Sequence, residues 1–141
     1  YQDGRKCPCG KRGCLEEYAS TTALIARAER QTGRTGWNGR MIFEGASQGD
    51  PLLRLALDGW LDDVAAGVTG LVHIFNPELV LIGGGVSAQE ELLLRPLRAR
   101  VLAGVMPRFA ERLHIERAVL GNNAGMIGAA KYFMDREAER T

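Results

Sequence analysis

Between Asp50-Pro51 and Asn76-Pro77 the chain carries an apolar pattern that a long helix can place on one side. Leu53, Leu57, Trp60, Leu61, Val64, Val68, Leu71, Val72 and Phe75 recur at steps of three and four, the spacing of residues that share a helix face. Asp50 suits the N-cap and Pro51 the first helical position, where a missing N–H is no loss. Asn76-Pro77 stops the pattern. The face is broad and predicts a core. Gly67 and Gly70 each weaken a helix by roughly 1 kcal/mol relative to alanine, so both are expected to mark close approach of a neighbouring element. His73, on the same helix among apolar neighbours, is expected as a packed or hydrogen-bonded core residue rather than a metal ligand.

Four aliphatic residues and three glycines follow in Leu79 to Ser87, LVLIGGGVS, with Ser87 and Glu90 at capping-box spacing. This reads as strand, glycine turn, helix. Such a turn lets a ligand approach the backbone, and the helix N-terminus beyond it suits an anion. Gly83, Gly84 and Gly85 match neither the P-loop nor the dinucleotide pattern, and a plain tight connection explains their spacing nearly as well. Residues 88–112 are helical but broken by Pro96 and Pro107, so two or three short helices are expected. His114 to Leu120 predicts a second strand, ending at Gly121-Asn122. A closing helix begins with small residues that permit close approach, Ala124, Gly125, Gly128, Ala129 and Ala130, and its last turns are charged and solvated. Upstream, Ser20 caps a short helix to Arg30, while residues 31–49, rich in glycine, read as an exposed or mobile loop with one turn around Met41 to Phe43. The order helix, strand, helices, strand, helix implies an α/β lobe with parallel strands joined by helical crossovers.

The chain of 141 residues fits one domain or one lobe of a larger protein. A net charge of +1 gives no electrostatic reason to expect nucleic acid, acidic partners or a membrane surface. No 18-residue apolar run is present, and the start YQDGRKCPCG is neither a signal peptide nor a methionine start, so it reads as mid-protein sequence.

All three cysteines, Cys7, Cys9 and Cys14, fall within eight positions. An odd, clustered set argues for reduced thiols held by a metal, and so for a cytoplasmic protein. Zinc takes four ligands from thiolate and imidazole, and Gly10 and Gly13 allow the tight backbone that brings three sulphurs to one ion. A fourth ligand is needed. The only histidines, His73 and His114, are remote in sequence. Three free surface thiols, or a Cys7–Cys9 redox pair, remain the alternatives.

CPCGKRGCLEEYAS, NPELVLIGGGVS and AGMIGAA, taken in this order, resemble the C-terminal part of the ROK family, the sugar kinases and sugar-responsive repressors on the actin/hexokinase-like (ribonuclease H-like) fold. The resemblance implies that residues 1–141 are the C-terminal lobe, with a zinc loop at 1–17, an adenosine-side strand, glycine turn and helix at 79–90, and no N-terminal lobe. In its C-x-C-G-x-x-G-C-x-E motif Cys7, Cys9 and Cys14 bind a structural zinc, and the fourth ligand is a histidine before Tyr1. Glu16 then hydrogen-bonds the hydroxyls of a bound sugar; as an alternative it merely favours the first turn of its helix. Glu17 matches no family role. Gly83, Gly84 and Gly85 correspond to glycines on the adenosine side, and Gly125 to Gly128 border the same cleft. The family's D-x-G-x-T loop, second phosphate motif, catalytic Asn-Asp pair and E-x-G-H are not in this chain, which therefore holds no catalytic residue. The implied parent is a sugar kinase that uses ATP and Mg on a hexose or N-acetylhexosamine hydroxyl, and this part alone is expected to be inactive. The alternative is the sugar-sensing part of a ROK repressor, the one case in which nucleic acid is a partner; the intact GGGVS favours the kinase. A scaffold that binds zinc and no ligand is the third reading. A homodimer is implied, and no membrane association.

Overall fold

A computed structural model describes residues 1, 3–84 and 89–138. Seven α-helices and two strands are found among them: α1 (Glu16–Ala19), α2 (Thr21–Thr32), α3 (Gly39–Ser47), α4 (Pro51–Phe75), β1 (Leu79–Ile82), α5 (Arg95–Gly104), α6 (Pro107–Ala110), β2 (His114–Arg117) and α7 (Ala124–Ala138).

The long helix α4 is the axis of the molecule. The Asp50 carboxylate accepts hydrogen bonds from the Leu52 and Leu53 N–H groups at 2.9 and 3.1 Å, satisfying two of the donors a helix start leaves open. At the other end Asn76 turns into the left-handed region at φ +46 and its N–H closes on the Val72 carbonyl at 2.8 Å. α1, α2, α3 and α5 all pack on α4. Leu53, Leu57, Trp60, Leu61 and Val72 are buried against Leu24, Ile42, Phe43, Leu97 and Val101 in one continuous core. Phe43 meets Trp60 edge to face, with centroids 6.5 Å apart. On the α5 side Arg100 reaches Asp58 at 3.0 Å and Asp62 at 2.7 Å.

The two strands pair in parallel, with Leu79 opposite His114 and Ile82 opposite Arg117. A π-helical turn, Glu90–Leu94, leads into α5 and supplies the helical crossover between them, burying Leu93 and Leu94. Pro107 opens α6, where no interior hydrogen bond is lost, whereas Pro96 is the second residue of α5 and follows directly on the π-helical turn. One face of the sheet, with Val80, Ile82 and Ile115, packs on the core. On the other, Leu79 and Leu81 are more than half exposed. The α/β lobe with parallel strands is as expected. Among the described residues no helix is long and apolar enough to cross a membrane.

Several expectations are corrected. Residues 31–49 are not simply loop: Asn38 caps α3 through the Met41 N–H at 3.0 Å, and Ile42, Phe43 and Ala46 are buried. Of the glycines there Gly45 serves packing, lying where a side chain would meet Leu53, while Gly33, Gly36 and Gly49 take positive φ in turns. His73 is exposed rather than in the core, and accepts a hydrogen bond from the Met106 N–H at 3.2 Å beside the Phe109 ring. Gly67 does take a close neighbour, Leu15, but Gly70 has nothing within 4 Å. β2 stops at Arg117, and Leu120 joins the turn before α7. No described residue of α7 is buried, and Gly125 and Gly128 meet nothing within 4 Å, so the close approach expected of its small residues is not made here. The capping pair of Ser87 with Glu90, and Gly85, involve positions outside the described residues.

Candidate metal centre and adjoining cleft

The cysteine loop is a tight reversal. Lys6 and Arg12 pair across it as a short antiparallel bridge, the Cys7 N–H bonds the Lys11 carbonyl at 2.9 Å, and the Gly10 N–H bonds the Cys7 carbonyl at 3.0 Å. Gly10 at φ +87 makes the turn possible. Gly13, at φ +70, has no room for a side chain, because a Cβ there would lie 1.5 Å from the Tyr1 carbonyl oxygen.

This backbone brings the Cys7, Cys9 and Cys14 sulphurs within 4.8 Å of one another, with Cys9 and Cys14 at 3.6 Å. Sulphurs around tetrahedral zinc, at about 2.3 Å from the ion, are separated by about 3.8 Å. The donor set fits three of zinc's four ligands. All three cysteines are free, Cys9 exposed and the others half-buried. Their protons are unevenly held. The Lys11 N–H, then the Cys7 and Cys14 thiols, hold the Cys9 thiol below its ordinary value. For Cys7 the Cys9 N–H acts to lower the value, but hydrogen bonding to the Cys9 sulphur, desolvation and Cys14 together push it up to about 11. A bound cation would hold its cysteine ligands as thiolates. His73 and His114 take no part in this cluster.

α1 grows directly from the loop, its Glu17 N–H bonded to the Cys14 carbonyl at 3.0 Å. Glu16 is therefore the first helical residue, two positions beyond a candidate metal ligand and exposed; its carbonyl accepts the Ser20 N–H at 3.3 Å, and its carboxylate has no hydrogen bond or ion pair among the described residues. It lines a cleft of about 390 Å³ together with Arg5, Cys7, Thr22 and Arg30. The surroundings are firmly anchored. The Tyr18 hydroxyl accepts the Arg5 N–H at 2.8 Å, the Arg5 guanidinium donates to the Glu17 carbonyl at 2.7 Å, and it stacks 4.4 Å above the Tyr18 ring. Leu15 packs onto Gly67 of α4. The Tyr1 hydroxyl donates to Asp63 at 2.6 Å, which pushes the Tyr1 phenol up to about 12, and Asp63 also pairs with Arg27.

The glycine turn after β1 is a separate feature. Gly84, at φ +97, requires glycine, whereas a Cβ on Gly83 would make only an ordinary contact with Ala118 at 3.6 Å. Sequence reasoning missed the cleft-lining Arg5, Thr22 and Arg30. Ala23, Ala26 and Arg30 fall at helix spacing on α2, a legible signal of a shared face. That the face borders a cleft follows only from where the cysteine loop packs.

The sequence pattern of the ROK family matches residues 1–136. The chain is similar to the glucokinase of Thermotoga maritima, 36% identical over 152 aligned positions that cover 95% of this chain and 46% of that protein. It is also similar to the xylose repressor of Bacillus spizizenii, 26% identical over 94% of this chain and 35% of that protein. Among solved structures, a ROK family glucokinase from Streptomyces griseus in complex with glucose and AMPPNP superposes with a TM-score of 0.79 at 32% identity, over 94% of this chain and 48% of that one. The chain spans about half the length of the curated relatives it matches.

Proposed function

This chain belongs to the ROK family, and on that premise we propose that it is the zinc-bearing, sugar-contacting part of an ATP-dependent sugar kinase. The observation that carries this reading is the junction of three convergent sulphurs with an unpartnered Glu16 in one cleft. Cys7, Cys9 and Cys14 hold the zinc, whose role is a cross-link that stiffens the loop. Glu16, fixed at the end of that loop, accepts hydrogen bonds from two sugar hydroxyls and so orients the ring. Gly83, Gly84 and Gly85 border the adenosine side of the nucleotide. Residues that activate the hydroxyl and bind Mg and the phosphates lie in the rest of the protein, so residues 1–141 alone transfer no phosphoryl group. The clustered reduced thiols suit the cytoplasm.

The test is turnover by the intact protein of a panel of hexoses and N-acetylhexosamines with MgATP, followed as ADP release. Phosphorylation of one of them supports the reading. Lack of turnover, together with specific retention of a DNA fragment released by a sugar, would favour a sugar-sensing repressor instead. The similarity to the xylose repressor over 94% of this chain is the observation behind that second reading.

A further inference from the structure

Within the cysteine loop the Cys9 and Cys14 Sγ atoms touch at 3.6 Å. The chain between them turns back on Gly10 at φ +87 and Gly13 at φ +70, which lays Cys14 beside Cys9. The loop is closed by its own bonds: the Lys6–Arg12 bridge, the Cys7 N–H on the Lys11 carbonyl and the Gly10 N–H on the Cys7 carbonyl. Residues 6–14 therefore fix this contact themselves, whatever the rest of the protein adds around them. Cys7 is less free to join either sulphur. Its N–H and carbonyl are both committed inside the turn, and Pro8 restricts the backbone between it and Cys9. A spacing that seats two thiolates on one cation also sets them for a bond to each other. A disulphide requires the sulphurs to close from 3.6 Å to about 2.0 Å, a movement within reach of side-chain rotation on a glycine-hinged loop.

We propose that Cys9 and Cys14 are a redox-modification site, oxidised by a hydroperoxide to a disulphide that leaves Cys7 alone as a thiol. One thiolate takes an oxygen atom from the peroxide, whose O–O bond breaks and releases hydroxide. The second thiolate attacks the resulting sulphenic acid, forming the S–S bond and expelling a further hydroxide. The two sulphurs give up two electrons, and the peroxide takes them. This pair is not the Cys7–Cys9 pair that sequence spacing offered. Only the consequence rests on the zinc reading above: with two of the three sulphurs tied to each other the set cannot hold zinc, and the loop that continues into α1 loses that cross-link.

The intact protein is treated with hydrogen peroxide, its free thiols are capped with N-ethylmaleimide, and it is digested with trypsin, which cuts after Lys11 and Arg12 and so separates Cys14 from Cys7 and Cys9. The expected product is a cross-link between Cys9 and Cys14 that dithiothreitol opens, with Cys7 capped. In zinc-loaded protein, release of the metal to a chromogenic chelator should rise in proportion to the cross-link. Cys7→Ser should keep the cross-link and Cys14→Ser should abolish it. Mass analysis reads the cross-link whether or not zinc is bound beforehand, so failure of the zinc reading and failure of this one are told apart. Separate capped peptides, a Cys7–Cys9 bond inside one peptide, a cross-link with Cys9 capped in place of Cys7, or sulphonic acids without a cross-link would overturn the assignment.

Discussion

Glu16 stands two positions beyond Cys14, and the intervening Leu15 is pressed onto Gly67 of α4. The carboxylate is thus carried on backbone held at both ends, which is what a residue that orients a ligand needs. Glu16→Gln keeps the shape and removes the charge. In the intact protein it should weaken sugar binding roughly tenfold, in line with a hydrogen bond to a charged group, while metal analysis finds zinc content unchanged. Unaltered sugar affinity would end the assignment. Cys9→Ser tests the other half of the site: zinc should be lost on dialysis against a chelator that the parent resists, because two thiolates leave the set incomplete. The residue types and spacing of the cysteine motif were legible without coordinates. That Arg30 lines the adjoining cleft was not, because which loop packs beside α2 has no local signature.

At the scale of elements, α4 shows which local signals carry through. Its cap at Asp50 and its stop at Asn76 follow from short-range chemistry and stand where the pattern predicts. Leu53, Leu57, Trp60, Leu61 and Val72 are buried as expected, but Leu71 and Phe75, expected on the same core face, are exposed because no described element covers the end of the helix. The two glycines inside it do not behave alike. A Cβ at Gly67 would lie 2.8 Å from the Leu15 side chain, whereas one at Gly70 meets nothing. Gly67→Ala should therefore destabilise by about 1–3 kcal/mol through overpacking, and should loosen the loop that α1 extends. Gly70→Ala should stabilise by up to about 1 kcal/mol by restoring helix propensity. Denaturant unfolding of the two variants checks the opposite signs; equal effects would mean that Leu15 does not seat on α4 as described. In α3 the reading went astray for a definite reason. Asn38 as cap and the trio Ile42, Phe43 and Ala46 carry a helix signal, but they are flanked by Gly33, Gly36 and Gly49, which do form turns at positive φ, and Gly45 inside the helix is there to admit Leu53.

For the whole molecule the decisive fact is what remains open. Leu79 and Leu81 on the outer sheet face, Ile74 and Phe75 at the end of α4, and Tyr132, Phe133 and Met134 on α7 are all about half exposed or more. A parallel sheet is ordinarily covered on both faces, so this surface is poorly suited to water. Residues 1–141 on their own should bind an apolar dye and associate as concentration rises, as followed by light scattering, and Leu81→Lys should reduce both. A monomer that binds no dye would show that α7 folds back over the sheet in solution. By itself the sequence determined the helix ends, the strand, the parallel order and the convergent cysteines, because caps, periodicity, crossover length and loop closure act over a few residues. Only the tertiary structure decided that α3 exists, that His73 faces solvent, that Gly67 is filled and Gly70 is not, and that Arg5 and Arg30 share a cleft. Each of these depends on which distant residue arrives beside a given side chain, and that is a property of packing rather than of local pattern.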